Sequence, residues 1–246
     1  MGRTIRSTWV RNHGARDIGL PVTPDTSAAI LEGAAFPLRA RGKDSWFTVG
    51  GSIVLSIALA GLWLFFAWSS VGAWHENGRP SGLGAVALEL LLVVLFIVRR
   101  APKASSQVPL DWLVTIGAFA VLAARPISGD PTLVSWVGEG VQFVGLAGAV
   151  WSLLALGRSF GIVPANRGLR TGGPYGLVRH PLYAFYFVSW AGYVLENPAV
   201  RNILVFSAAF VFQLLRMHRE ELFLRRDTAY QAYCSVVRYR VLPRVY

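Results

Sequence analysis

Six apolar segments separate the polar parts of this sequence, at residues 46–68, 83–98, 110–125, 133–156, 182–196 and 199–215. A membrane-spanning helix needs about 20 mostly apolar residues, and about 17 can suffice. The first and fourth segments reach this length easily, and the last two are expected to form a short hairpin with its tip at Asn197-Pro198. The hydrophobic fraction of 54% and the mean hydropathy of +0.46 exceed those of typical soluble domains. The sequence therefore predicts an all-α, polytopic membrane bundle of five to six transmembrane helices.

The basic residues lie between the apolar segments, although the net charge of +11 is high. This distribution argues against nucleic acid as a partner and favours a role in membrane topology. If both termini face the cytoplasm, 21 of the 24 lysines and arginines fall on that side, and only Arg79, Arg125 and Arg201 fall on the other. The positive-inside rule thus predicts a multi-pass integral membrane protein with both termini cytoplasmic. A single cysteine, Cys234, excludes an internal disulfide framework, and no metal site is expected.

The chain divides into three parts by composition. Residues 1–45 are a polar, cytoplasmic arm, in which the stretch Ser27–Leu38 is either a short interfacial helix or part of a mobile segment. Residues 46–156 contain the first four apolar segments. Residues 157–246 contain the hairpin and the motifs described below.

Residues 172–183 read GGPYGLVRHPLY and form the most distinctive stretch of the chain. Gly-Gly-Pro cannot lie inside a helix, so a shaped loop is expected here. Pro181 suits the first turn of a helix, which places Arg179 and His180 at the mouth of an apolar helix. Free backbone N–H groups at such a mouth suit a carboxylate or another anion. The alternative is a positively charged loop at the membrane edge with no ligand.

Within the apolar segments, glycines and two acidic residues are unusual. Gly138, Gly140, Gly145 and Gly148 recur in the fourth segment, and we interpret them as sites of close helix packing. Glu89 and Glu139 are acidic groups at membrane depth, where a charge is costly and often functional. A hydrogen-bonded structural role is the preferred interpretation for both.

The tail from Gln213 to Tyr233 is rich in helix formers and lacks Gly and Pro, so it predicts a helix that emerges from the membrane. Arg216 and Glu220 are four residues apart and share one face, and Tyr230 and Tyr233 share another. The alternative for the Arg/Glu cluster is an ion-pair ladder on the helix surface.

Together these motifs resemble the isoprenylcysteine carboxyl methyltransferase family of integral membrane enzymes. The resemblance covers about the last 90 residues and rests on several motifs in the family's order. The matching elements are Leu156-Gly157, Gly173-Pro174-Tyr175, Arg179-His180-Pro181-Leu182-Tyr183, Asn197-Pro198, Arg216, Glu220-Glu221, Tyr230-x-x-Tyr233 and Pro243. The chain departs from the family in lacking the Phe-Gly between Glu-Glu and Tyr-x-x-Tyr, and in having Ala184 where many relatives have Gly.

The resemblance implies that residues 157–246 form a catalytic region with S-adenosyl-L-methionine as the cofactor, bound on the cytoplasmic side under a C-terminal helix. By motif position, the family's cofactor contacts correspond to Arg167, Gly168, Leu169, Arg170, Tyr175, His180, Pro181, Leu182, Tyr183 and Glu220. The family's substrate-binding arginine corresponds to Arg216, which is the candidate catalytic residue.

The identity of the methyl acceptor is open at this point. A carboxylate is already ionised at neutral pH and needs only orientation, for which the planar guanidinium of Arg216 is suited. An amine or thiol would need to lose a proton, and His180 or His218 is then the candidate base. A lipophilic or prenylated carboxylate is preferred, and a phospholipid amine or a thiol is the alternative. A nicotinamide-dependent membrane reductase and a non-enzymatic membrane protein are more distant alternatives.

Overall fold

The computed structural model describes residues 45–100, 104–105, 108–127, 132–162 and 165–245. The N-terminal arm and its proposed interfacial helix lie outside these ranges. The α-helices are α1 (Ser45–Asn77), α2 (Pro80–Val98), α3 (Pro109–Ala118), α4 (Leu133–Leu156), α5 (Pro181–Glu196), α6 (Val200–Leu224) and α7 (Thr228–Val236). Short 3₁₀ turns occupy Phe119–Ala123, Gly157–Ser159 and Gly173–Gly176, and the two-residue strands β1 (Ala104–Ser105) and β2 (Ala165–Asn166) pair antiparallel. The predicted all-helical architecture is confirmed.

Four helical stretches are long and apolar enough to cross a membrane: Ile53–Glu76, Pro80–Val98, Leu133–Ser159 and Val200–Leu224. Their surfaces carry many exposed large apolar side chains, among them Trp68, Leu133 and Leu204, which is the surface a lipid environment requires. The remaining two apolar segments form α3 with the 3₁₀ turn that follows it, and α5, which has 16 residues. Each of the six predicted segments thus contains a helix, and two of these helices are shorter than a regular span.

Contacts at helix ends show that α2 to α6 alternate in direction. At one end of the bundle, which we call the site end, the C-termini of α2 and α4 meet: the backbone N–H of Arg100 donates to the carbonyl of Arg158 at 2.8 Å. Arg99, at the end of α2, also donates to the Ser56 hydroxyl of α1, with its Nη2 at 2.8 Å. The N-terminus of α5 and the C-terminus of α6 lie at this same end, because the His180 side chain reaches Glu221.

The opposite end of the bundle, which we call the far end, gathers the start of α2, the end of α3 and the tip of the hairpin. Arg79 forms an ion pair with Glu196 at the end of α5. The side-chain oxygen of Asn197 accepts from the Ile127 N–H at 2.9 Å, and Asn202 donates to the Arg125 carbonyl at 2.8 Å. Asn197 is only 3% exposed and lies at the hairpin tip as predicted.

Helices α4 and α5 form the most extensive contact in the bundle, and glycines make it possible. A Cβ added at Gly145 would lie inside contact distance of the Ser189 backbone, and one added at Gly138 would meet the Gly192 carbonyl. The packing role predicted for Gly138, Gly145 and Gly148 agrees with their burial. The same prediction for Gly140 is wrong, because Gly140 is exposed and a Cβ there would meet nothing within 4 Å.

We therefore expect Gly145→Ala to destabilise the protein by about 1–3 kcal/mol, because rigid backbone at Ser189 must move to admit one methyl group. Gly140→Ala is the matched control: it changes the same residue type on the same helix where space is open. Thermal unfolding in detergent should show a lower Tm for the first variant alone. Equal Tm values for the two variants would contradict the close α4–α5 contact.

The two acidic residues at membrane depth have hydrogen-bond partners. Glu139 on α4 accepts from the Ser81 backbone N–H at 2.5 Å and from the Ser81 hydroxyl at 2.9 Å. Glu89 on α2 accepts from the Ser70 hydroxyl at 3.1 Å. Both contacts join neighbouring helices away from the motif-bearing residues, in agreement with a structural role for these carboxyl groups.

The tail is not one continuous helix. Helix α6 ends at Leu224, and α7 begins at Thr228 after a turn. Asp227 is the N-cap of α7, and its carboxylate accepts from the Ala229 N–H at 2.9 Å. The stretch predicted to be helical therefore contains two helices, since an Asp at this position favours a new helix start over continuation.

Candidate functional site

A cavity of about 310 Å³ opens at the site end of the bundle. This volume lies at the lower end of the range found for small-molecule sites. Ten of the predicted site residues line it: Arg167, Gly168, Leu169, Arg170, Tyr175, His180, Leu182, Tyr183, Arg216 and Glu220. Pro181 is buried at the start of α5 and does not line the cavity.

Pro181 begins α5 as predicted, and His180 occupies the preceding position. The His180 ring stacks on the Tyr183 ring, with centroids 5.3 Å apart and an interplanar angle of 3°. The His180 Nε2 lies 3.2 Å from an Oε1 of Glu221. His180 is 6% exposed and is held on two sides, so its ring is fixed within the wall of the cavity.

Some of the backbone N–H groups that were expected to be free at the N-terminus of α5 already donate to other backbone carbonyls. The Arg179 N–H donates to the Tyr239 carbonyl at 2.9 Å, and the His180 N–H donates to the Arg240 carbonyl at 2.8 Å. The C-terminal tail thus pairs with the loop in front of α5 and occupies two of the backbone donors there. The Arg179 and His180 N–H groups are therefore not free for an anion, and the anion site predicted near His180 would have to use other donors of this helix start.

Tyr183 connects the two charged residues that the sequence singled out on α6. Its hydroxyl donates to an Oε2 of Glu220 at 2.6 Å. The Arg216 guanidinium lies over the Tyr183 ring, 5.6 Å from the centroid. Cations are attracted to the face of an aromatic ring, so one phenol ring helps to orient both residues toward the same cavity.

Arg216 is buried, with 9% of its surface exposed. Its Nη2 donates to the Ile162 carbonyl at 2.5 Å, whereas its Nε has no hydrogen-bond partner among the described residues. The predicted alternative of an ion-pair ladder does not apply here, because no ion pair joins Arg216 to Glu220 within the described part of the chain. A buried guanidinium without a carboxylate partner is costly, which points to an anionic or oxygen-bearing ligand in the cavity.

Glu221, next to Glu220, has a different role that the sequence analysis did not identify. It is 2% exposed, and three arginines and His180 surround it. The Arg179 Nη1 and His180 Nε2 are each 3.2 Å from Oε1, and the Arg240 Nε is 3.0 Å from Oε2. The exposed Arg225 lies 3.4 Å from Oε2. Glu221 therefore joins the loop before α5, helix α6 and the C-terminal tail.

The two tyrosines of α7 close one side of the cavity. The Tyr233 hydroxyl donates to the Tyr175 carbonyl at 2.6 Å. The Tyr230 hydroxyl is buried and has no partner among the described residues, although Tyr230 lines the cavity. Burial and the nearby Glu221 raise the pKa of Tyr230, and burial and Glu220 raise that of Tyr175, so both phenols stay protonated at neutral pH. The Tyr230 hydroxyl is thus available to a ligand.

Arg167 and Arg170 follow β2 and also line the cavity. Burial, followed by repulsion from Arg99, lowers the pKa of Arg167 to about 10. Arg167 therefore remains charged at neutral pH, and the carboxylate of Glu220, which also lines the cavity, attracts it. Arg170 is exposed at the rim.

Of the two candidate bases, His218 is exposed on α6 and does not line the cavity, so the structure gives it no access to a ligand there. Across the described residues, no group of three or more His, Cys, Asp or Glu side chains has a metal-binding arrangement.

The cavity extends beyond the last 90 residues into the first three helices. Apolar side chains from this region make up much of its wall: Trp63, Leu88, Leu92, Phe96, Phe119 and Leu122. The sequence motifs did not identify these residues because generic apolar side chains carry no positional signature. The result is a cavity with charged and hydroxyl groups at one part and an apolar wall at the other.

Comparison with known proteins agrees with this geometry. The family model of phospholipid methyltransferase matches residues 134–231, which include α4, the loop before α5, the hairpin and the first residues of α7. No curated protein matches the sequence. The expectation of a membrane methyltransferase is confirmed, and the reductase and non-enzymatic alternatives are not retained. Residues 134–231 of this integral membrane chain are therefore similar to the phospholipid methyltransferase family, and the chain is a methyltransferase.

Proposed function

We propose that this membrane methyltransferase uses S-adenosyl-L-methionine to methylate the carboxylate of a lipophilic acceptor, such as a prenylated cysteine. The observation that carries this proposal is the buried guanidinium of Arg216, whose Nε has no partner in a cavity with an apolar wall. A planar guanidinium matches a carboxylate in geometry and charge. The apolar wall suits the hydrocarbon part of the same acceptor.

The residues around Glu220 fit the cofactor's polar groups. When bound, the cofactor supplies an electrophilic methyl group on a sulfonium. The Glu220 carboxylate is suited to the ammonium or to a ribose hydroxyl, and the Arg167 guanidinium is suited to the carboxylate. The unpartnered hydroxyl of Tyr230 adds a hydrogen-bonding group on the α7 side.

A carboxylate acceptor fits the groups present better than an acceptor that must lose a proton. The Nε2 of His180 is bonded to Glu221 and the ring is stacked on Tyr183, so only the Nδ1 of His180 could take a proton from such a substrate. A carboxylate is ionised at neutral pH and needs no base. The two opposite charges of carboxylate and sulfonium disappear as the methyl group moves, so a cavity that excludes water favours the transfer.

The site end of the bundle is assigned to the cytoplasm in this proposal. The far end holds Arg79, Arg125 and Arg201, the three basic residues that the positive-inside rule assigns to the outer side. The candidate site and the C-terminus would then face the cytoplasm. A cysteine introduced at the exposed Arg226 should be labelled by an impermeant maleimide only after the cells are opened.

A phospholipid amine is the second candidate acceptor, and the description of the matching family favours it. A primary or methylated amine would need its proton removed before attack. An aminophospholipid also carries a phosphate, which could occupy Arg216 in place of a carboxylate.

The identity of the methyl acceptor is tested by following transfer of the tritiated methyl group from S-adenosyl-L-methionine. The purified protein in lipid nanodiscs is given N-acetyl-S-farnesylcysteine, a long-chain fatty acid or phosphatidylethanolamine. Base-labile incorporation into one of the two carboxylates, as a methyl ester, is the expected result. Base-stable incorporation into phosphatidylethanolamine alone would replace the carboxylate proposal with N-methylation.

A further inference from the structure

Gln213 is a polar side chain at an unexpected depth. It lies on α6 inside a stretch apolar enough to span the membrane, and it is only 2% exposed. Its Nε2 has no hydrogen-bond partner among the described residues, yet Gln213 lines the cavity. Buried polar groups are nearly always hydrogen-bonded, and an amide in an apolar setting without a partner is costly. An unpartnered amide facing a cavity indicates that a ligand completes its hydrogen bonding.

The position of Gln213 on α6 indicates which ligand this is. Gln213, Arg216, Glu220 and Leu224 form one stripe along the helix, and all four line the cavity. At 1.5 Å per residue, Gln213 lies about 4–5 Å along the axis from Arg216 and about 10 Å from Glu220. Arg216 thus separates Gln213 from the residue proposed to hold the cofactor. A ligand group beside Gln213 therefore belongs to the methyl acceptor.

The chemistry of Gln213 and Arg216 indicates which polar groups the methyl acceptor carries. The Arg216 Nε and the Gln213 Nε2 are both buried donors without partners in the described structure. Two donors spaced by less than one helical turn match two oxygen acceptors, one of them charged. We propose that Gln213 is a specificity-determining residue. Its side chain donates a hydrogen bond to an oxygen of the methyl acceptor, next to the carboxylate held by Arg216. This inference rests on the proposed function and narrows its substrate class to lipophilic carboxylates with a neighbouring amide or ester carbonyl.

Gln213→Leu tests the inference because leucine keeps much of the side-chain volume and removes the donor. N-acetyl-S-farnesylcysteine has an amide carbonyl next to its carboxylate, whereas a long-chain fatty acid has the carboxylate alone. We expect the variant to raise KM for the first acceptor about tenfold, with kcat within about threefold and with unchanged KM for the fatty acid. Binding of S-adenosylhomocysteine should also be unchanged. An unchanged KM for N-acetyl-S-farnesylcysteine would overturn the inference.

Gln142→Leu is the matched control, because Gln142 on α4 also has a buried side-chain atom without a partner but does not line the cavity. This control should leave KM for both acceptors unchanged. The ligand-free Gln213→Leu protein should be at least as thermally stable as wild type, because it loses an unpaired donor and gains an apolar side chain. A Tm several degrees below that of Gln142→Leu would show that Gln213 has a structural partner and would overturn the inference without any activity measurement.

The proposed carboxylate methylation and the proposed role of Gln213 are contradicted by different results. Methylation of phosphatidylethanolamine alone by the wild type would reject the carboxylate function. The Gln213 comparison is then made on phosphatidylethanolamine, whose glycerol esters supply the oxygen. If Gln213→Leu raises the KM for this lipid about tenfold, the proposed hydrogen bond from Gln213 to the methyl acceptor is supported. If the KM is unchanged, that hydrogen bond is rejected.

Discussion

Glu221→Ala is expected to lower the free energy of unfolding by about 3–5 kcal/mol, the largest loss of stability predicted for this chain. Glu221 is 2% exposed, and its removal would leave the buried Arg179 and its neighbour His180 without their shared carboxylate. The exposed Arg225 contributes little to this figure, because water screens its charge. The comparison is made by thermal unfolding of the purified variants in one detergent.

Glu76→Ala is a suitable control, because Glu76 is an exposed carboxylate near the end of α1. It should unfold at the wild-type temperature. Glu221→Gln keeps the side-chain size and loses the charge, so its stability should lie between those of wild type and Glu221→Ala. If Glu221→Ala and Glu76→Ala unfold at the same temperature, the contacts of Glu221 with three arginines and His180 do not hold the tail.

The second large effect concerns the two cavity-lining charges of α6. Arg216→Ala should reduce kcat by about 100-fold or more, because the acceptor carboxylate loses the group that orients it. Its affinity for S-adenosylhomocysteine should stay within about threefold of wild type. Glu220→Ala should show the opposite pattern, with cofactor affinity reduced about tenfold or more, since a charge-assisted hydrogen bond is lost. Initial rates and titration calorimetry on the same preparations separate the two effects.

Two further variants sharpen this comparison. Arg216→Lys keeps the charge but not the planar fork, so it should recover only a small part of the rate. Arg226→Ala removes an exposed arginine just beyond α6 and should leave both rate and affinity unchanged. Equal loss of cofactor affinity in Arg216→Ala and Glu220→Ala would contradict the division of roles between acceptor and cofactor.

The sequence predicted the helices and the convergence of the motif residues well. Pro181 was a reliable marker of a helix start, because its missing N–H and fixed backbone angle suit the first turn. The four-residue spacing of Arg216 and Glu220 placed both on the face that lines the cavity. These features are local, and local rules of helix geometry were sufficient to predict them.

Other features depend on tertiary contacts that no local pattern contains. Glu220 and Glu221 are adjacent in sequence, but a rotation of about 100° between them places one in the cavity and the other among cations from three segments. The pairing of the His180 N–H with the Arg240 carbonyl joins residues 60 positions apart. Gly140 illustrates the same limit, since it fits the glycine pattern of α4 but lies on the face opposite the α5 contact.

The residues that line the cavity outside the motifs were also not predictable from the sequence. In the sequence, Gln213 is one more polar residue at the start of the tail. Its significance depends on its burial and on the lack of a hydrogen-bond partner for its Nε2 within the described structure. The apolar wall from the first three helices carries no chemical signal of its own. Only the packing of these helices around α6 shows that they enclose the same cavity.

The function proposed for this protein requires that the cavity between the start of α5 and the end of α6 binds a sulfonium cofactor. Titration calorimetry of S-adenosylhomocysteine against the wild-type protein and Glu220→Ala measures this binding, with NADPH as the comparison ligand. We expect saturable binding of S-adenosylhomocysteine to wild type, binding weakened about tenfold or more in Glu220→Ala, and no heat from NADPH. Binding of S-adenosylhomocysteine that is equally tight in both proteins would contradict it.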